Sequence, residues 1–223
     1  ITRASGQRAK ARLSYYEYGV VGLELEIPFA FDWDQLIHLT VRCVSSPRNE
    51  ELAQAAVRDT VKPCARHFIK PYEDWLSEDY CVVHVLQTPG VTAADLAAGH
   101  AHRIAQIVRA EAATFSPEEQ AEIMSAKISY YPNDLLVAGW SAAFVYDSQS
   151  GVEPTVELRK FANTQPLDFR HYDEVLSVIL AGVYKRLEAR RGPLMRWRLA
   201  RDAEKLNTLL LDIRELTERM DNS

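Results

Sequence analysis

The sequence predicts an α+β fold in two parts. An N-terminal mixed domain with a mostly antiparallel sheet is followed by a long antiparallel helical hairpin. Three observations carry this expectation. Period-two alternation and short β-branched runs recur through the first 150 residues. No such signal returns after Glu153. Leu199, Leu206, Ile213 and Met220 then stand seven apart, with Ala203, Leu210 and Thr217 between them. A sustained seven-residue period implies a left-handed supercoil of packed helices.

The elements follow in order. Residues 1–12 carry Arg3, Arg8, Lys10 and Arg12 and no acid, and read as a basic, mobile arm of a shortened chain. In residues 13–31, Leu23, Leu25 and Ile27 alternate with Glu24 and Glu26, the mark of a half-buried strand. Gly19 or Gly22 marks a bulge or turn there. Asp32 is placed to cap a helix through Leu36, Ile37, Leu39 and Val41. A second helix from about Asn49 carries Leu52, Ala56, Val57 and Val61 and is disturbed by Pro63. Residues 80–86 read as a buried strand. Thr92 and Asp95 form a capping box for a helix reaching about Ala110, and Ser116-Pro117-Glu118-Glu119 opens a short one. Two strands, 128–131 and 135–146, are expected to be joined at Pro132-Asn133-Asp134. Ser14-Tyr15-Tyr16 and Ser129-Tyr130-Tyr131 each precede a turn, a weak internal echo.

The domain boundary is expected near Ser150, with residues 13–150 forming the α+β domain and 151–223 the hairpin. In the first arm, Phe169, Tyr172, Leu176, Ile179, Val183 and Leu187 recur at three- or four-residue spacing until Gly192-Pro193 breaks the helix. Each arm would reach on the order of 40–55 Å at ~1.5 Å per residue. Pro166 should kink the first arm or mark its true start.

Composition excludes several classes. A chain of 223 residues, 47% hydrophobic and 26% charged, is globular. A net charge of −5 does not suit a whole-molecule binder of polyanions. Cys43, Cys64 and Cys81 are odd in number and widely spaced, which suggests neither a disulfide framework nor a zinc knuckle. A reducing compartment fits them. No run of ~18 apolar residues is present to span a bilayer. Gly139-Trp140-Ser141-Ala142-Ala143 resembles a nucleophile elbow, but strand rather than helix is predicted after Ser141, so Ser141 reads as a strand serine. His100 and His102 have the wrong spacing for one helical face, and His38, His67, His84 and His171 lack partners at metal spacing. No metal, cofactor or catalytic residue is therefore assigned.

Two polar clusters remain. Lys185, Arg186, Arg190, Arg191, Arg196, Arg198 and Arg201 face only Glu188, so residues 185–201 are net +6 (seven cations, one acid). With Leu194, Met195 and Trp197 among them, they suit an anionic lipid surface or an RNA backbone, or are a solvated hairpin end. Folding at Gly192-Pro193 would also bring Arg170, Tyr172 and Asp173 near Asp212, Arg214 and Glu215, an interhelical polar network.

Three stretches carry a family resemblance: 161–165 (FANTQ), 169–173 (FRHYD) and 211–219 (LDIRELTER). They resemble the C-terminal half of the required-for-meiotic-nuclear-division family, which includes a mitochondrial member associated with translation. Residues 15–21 (YYEYGVV) resemble that family's N-terminal aromatic–Gly–Val strand. The chain looks most like the uncharacterised bacterial branch, and Pro166 departs from the apolar residue expected there. The resemblance implies a non-enzymatic protein facing the cytoplasm, held by a membrane anchor beyond Ser223. Its mitochondrial members are implicated in supporting ribosomes at the inner membrane. The leading expectation is a scaffold or tether that contacts a protein partner or self-associates through the hairpin. An anionic membrane surface is a further partner, with RNA ranked lower. An RNA- or ribosome-binding module using the basic tip is the first alternative, and an enzyme with its site in the α+β domain is the second.

Overall fold

The computed structural model describes residues 10–16, 19–68, 75–188, 203–204, 207–208, 210–211, 213–214 and 218. Contacts divide the chain into two compact units, Ile1–Asn163 and Thr164–Ser223.

The first unit begins with a hairpin of β1 (Lys10–Tyr15) and β2 (Val21–Glu26), in which Leu13 faces Leu23 and Ser14 faces Gly22. Gly19 holds φ +93° in the connection, a conformation that L side chains rarely adopt. Gly19 is thus the turn residue, and Gly22 lies within a regular strand. The expected basic arm is shortened, because Lys10 and Arg12 belong to β1, where Lys10 lies 3.5 Å from Glu26. Residues 1–9 lie outside the described residues.

Helix α1 (Trp33–Ser45) opens on a full capping box: Asp32 accepts from Gln35 N–H at 2.8 Å, and Gln35 accepts from Asp32 N–H at 3.3 Å. Helix α2 (Pro47–Val61) runs into a 3-10 turn, Lys62–His67. Pro63 cannot continue the α-helical ladder, which explains the change of helix type. Helix α3 (Ala93–Arg109) opens on the Thr92–Asp95 capping box. At His100 its geometry breaks (φ −130°, ψ 18°), and the imidazole stacks on Trp33 at 4.8 Å. Helix α4 (Pro117–Ser125) has Ser116 as N-cap, while the Glu119 carboxylate is engaged by Arg109 at 2.5 Å instead of closing the box.

The main sheet has the order β3-β6-β5-β4, from β3 (Cys81–Leu86), β4 (Lys127–Ile128), β5 (Leu135–Ala138) and β6 (Ala142–Asp147). Strands β4, β5 and β6 are antiparallel to one another, and β3 runs parallel to β6. Three sequence expectations are corrected here, the first being the strand expected over 128–131, which ends at Ile128 because residues 129–131 belong to the connection to β5. The strand expected over 135–146 is two strands, because residues 139–141 turn the chain back. Gly139 permits this: a Cβ there would lie 2.6 Å from Val108 Cγ1 and 2.8 Å from the Val108 carbonyl oxygen. Strand β3 is not fully buried either. It stands at the sheet edge, and only Val83 is sequestered.

The central strand β6 carries the core. Ala142, Ala143, Phe144, Val145 and Tyr146 are all buried, so both its faces are covered. Phe144 and Tyr146 join Leu36 and Ile37 of α1 and Ile104 and Ile107 of α3 in one apolar cluster. The Tyr146 hydroxyl donates to Val91 O at 3.0 Å and accepts from Thr88 N–H at 2.8 Å. Its burial therefore leaves no orphaned polar atom.

Helix α5 (Val152–Glu188) follows β6. Its first turns belong to the first unit. Lys160 Nζ reaches Glu24 at 3.1 Å and Glu157 at 2.5 Å, and the Arg159 guanidinium lies 4.8 Å over the Tyr80 ring. The fold is thus α+β with a mostly antiparallel sheet, as the sequence predicts. The helix begins at Val152, so Pro166 is not its start but lies inside it.

Candidate functional site

No helix among the described residues is long and apolar enough to cross a membrane. Among them, no group of three His, Cys, Asp or Glu residues could hold a metal ion. Ser141 lies in the turn between β5 and β6, not within a strand, and the chain runs from it directly into β6 rather than into a helix, so the context of a nucleophile elbow fails. Burial, then Cys43 and Asp79, push the Cys81 thiol up to about 12, which keeps it protonated and unreactive at neutral pH.

The unusual surface lies on α5 within the second unit. At ~100° per residue, its large apolar positions from Val175 round to Tyr184 cover about half of the helix circumference. The arc divides into two flanks. Val175, Ile179, Tyr172, Val183 and Leu176 are half-buried. Thr164, Gln165 and Asp168 project in the same direction and are buried. On the other flank Phe169 and Leu180 remain 38% exposed and Tyr184 64%. An amphipathic helix on a single neighbour needs an apolar stripe ~100° wide, and this one is broader. Leu210, further along the unit, is also exposed, whereas Ile213 of the seven-residue stripe is half-buried.

The residues singled out in the sequence are only partly brought onto this surface. Lys185 is exposed on the last turn of α5, and Arg186 lies within that helix with its side chain outside the description. Arg190, Arg191, Arg196, Arg198 and Arg201 lie outside the described residues, as do Asp212 and Glu215. So do Leu199, Leu206 and Met220 of the stripe, and the turn at Gly192-Pro193. Arg170 and Asp173 are exposed, and Tyr172 is half-buried with its ring 5.5 Å from that of His171. Arg214 pairs at 2.9 Å with Glu218, four residues along, a partner the sequence reading did not name. The sequence pattern sets Phe169 in the same periodic series as Tyr172 and Leu176 and does not single out Phe169, Leu180 and Tyr184 as an open flank. The width of the arc was the available signal.

A four-stranded sheet packed with α1 and α3, beside a two-stranded hairpin, makes the first unit, the head, an α+β domain. The chain belongs to the family described as "Uncharacterized protein MJ0711, N-terminal domain", whose profile matches residues 2–153. No curated protein and no solved structure matches the chain. The match stops in the first turn of α5, so it covers the head and not the open helical flank.

Proposed function

We propose that this protein is a non-enzymatic scaffold or tether that self-associates through its helical unit. The exposure of Phe169, Leu180 and Tyr184 beside a half-buried apolar flank is the observation that supports this reading. In the arrangement proposed, residues 194–220 fold back on α5 as the second arm of a hairpin and cover one flank through Leu199, Leu206, Ile213 and Met220. A second copy covers the other flank, and the paired hairpins form a four-helix bundle. The resemblance of residues 161–165, 169–173 and 211–219 to the required-for-meiotic-nuclear-division family supports a tethering role, and membrane attachment belongs to the same proposal. Light scattering on the full chain tests it. The parent should form dimers at tens of micromolar. Phe169→Ala/Leu180→Ala/Tyr184→Ala should be monomeric with its helical circular dichroism retained. A parent that is monomeric across that range overturns the reading.

A second reading rests on the net +6 of residues 185–201 in a chain of net −5. Such a cluster repels itself and is neutralised by an anionic bilayer or by RNA. Filter binding of RNA and flotation with anionic vesicles, at low and moderate salt, separate these ligands. Arg190→Gln/Arg191→Gln/Arg196→Gln/Arg198→Gln should lose whichever binding the parent shows. Equal behaviour of parent and variant in both assays reduces the cluster to a solvated helix end.

A further inference from the structure

The loop 129–134, between β4 and β5, holds its backbone tightly and displays two large rings. One carboxylate oxygen of Asp134 accepts the N–H groups of Tyr130 at 2.8 Å and Tyr131 at 2.9 Å. The Ser129 hydroxyl donates to the Tyr131 carbonyl at 2.9 Å. The Pro132 carbonyl accepts from Ala93 N–H at 2.8 Å, and that of Asn133 accepts from the Gln87 side-chain amide at 2.8 Å. The loop is thus fastened to itself, to the start of α3 and to the end of β3. Yet the Tyr130 and Tyr131 side chains are 85% and 70% exposed. Ile128, just before the loop, and Leu86, at the end of β3, are exposed as well. Leu86 lies opposite Asp147 and Leu135 opposite Tyr146, so both belong to the end of the sheet from which the loop emerges.

Aromatic rings in water are not explained by the loop's stability, because the hydrogen bonds that shape it are made by the backbone, Ser129, Asp134 and Gln87. A backbone held before any contact is made loses little further entropy on binding, which is how rigid tyrosines serve at interfaces. The charges around the rings select the partner. Asp134 sits inside the loop. Asp95 caps the helix whose Ala93 bonds to the loop, and Thr92 holds its carboxyl below the usual range by hydrogen bonding. Asp147 accepts at 3.3 Å from the same Gln87 amide that reaches Asn133. Residues 85–95 and 127–151 contain these three acids and one cation, Lys127.

We propose that this end of the head docks an arginine- and lysine-rich polypeptide segment. Its cations lie over the faces of Tyr130 and Tyr131 and are steered there by Asp95, Asp134 and Asp147. Phosphate backbones and anionic bilayers are repelled by the same three carboxylates.

The test uses the full chain and a fluorescein-labelled nine-residue peptide of alternating arginine and serine, followed by anisotropy. Tyr130→Ala/Tyr131→Ala keeps every charge and should weaken binding about five- to thirty-fold, the loss of two exposed cation–π contacts. Tyr130→Phe/Tyr131→Phe keeps both ring faces and should bind within about two-fold of the parent. Thermal melts of both variants check the fold, which exposed rings do not support. Equal binding by the Ala variant and the parent overturns the proposal. So does preference for a proline-rich peptide of the same length or a single-stranded RNA over the arginine peptide.

Discussion

Phe144 and Leu180 are both large apolar residues in regular secondary structure. Phe144 has no exposed surface, whereas Leu180 keeps 38% of its own. The contrast extends to their surroundings. The head sequesters Ile104, Ile107, Val137 and Phe144 completely. Among the described residues of the helical unit, the buried ones are Thr164, Gln165 and Asp168, all polar. A head that completes its core within one chain is a self-sufficient domain. A helix whose apolar arc stays half open draws its stability from an additional surface. The same polypeptide thus joins a region with a completed apolar core to a helix whose described apolar residues stay half-buried or exposed.

The sharpest way to break this comparison is to hollow the head. Phe144→Ala should cost about 3–5 kcal/mol, as for a fully buried aromatic, and lower the urea midpoint irrespective of protein concentration. A loss below ~1 kcal/mol would mean that the head is not the self-contained unit described. Leu176→Ala, on the half-buried flank, should cost about 1–2 kcal/mol, because less surface is removed from water there. That cost should not depend on protein concentration, because in the proposed arrangement this flank is covered by the same chain and only the flank of Phe169, Leu180 and Tyr184 by a second copy. The smallest effect belongs to the ion cluster that ties α5 to β2. Burial works against the Lys160 ammonium, but the hydrogen bonds and charges of Glu157 and Glu24 outweigh it and raise its pKa. A raised value in the folded state gives a contribution present below the unfolded pKa of ~10.4 and lost as pH rises through the folded one. Lys160→Gln should therefore lower stability by under ~1 kcal/mol at pH 7–9. Parent and variant should converge in pH-dependent urea melts once pH has risen past the raised folded value. Equal stability of the two at pH 7 would remove that tie from the account.

Local signals were the legible ones. Asp32, Thr92 and Ser116 announced their helices because a capping side chain acts within three residues of itself. The later part of α5 was legible from the periodic positions Phe169 to Leu187, while its start at Val152 was not, since Pro166 stood as a candidate start. What failed was long-range. The turn at 139–141 was hidden because Gly139 is required by Val108, a contact between elements distant in sequence. The edge position of β3 was equally hidden, because an apolar run such as CVVHVL does not reveal how many neighbours it has. The seven-residue stripe pointed to the helical unit as the place of interest. Spacing alone could not divide the apolar arc of α5 into covered and open flanks, since Phe169 and Leu176 differ in their neighbours and not in their periodicity.

The parallel pairing of β3 with β6 sets a timetable for the nascent chain. Cys81 is paired with Ala142, so its partner is synthesised 61 residues later. At ~5–20 residues per second, that interval is about 3–12 s. Throughout it β3 is an apolar segment whose backbone groups on the side that will face β6 lack their partner, and α3, already made, cannot supply those hydrogen bonds. Ribosome stalling or proteolysis before Asp147 would release a chain with Val82, Val83 and Val85 unpaired, a template for aggregation. The head becomes safe from that outcome only once β6 has left the exit tunnel, by which time the long helix is the part still being made.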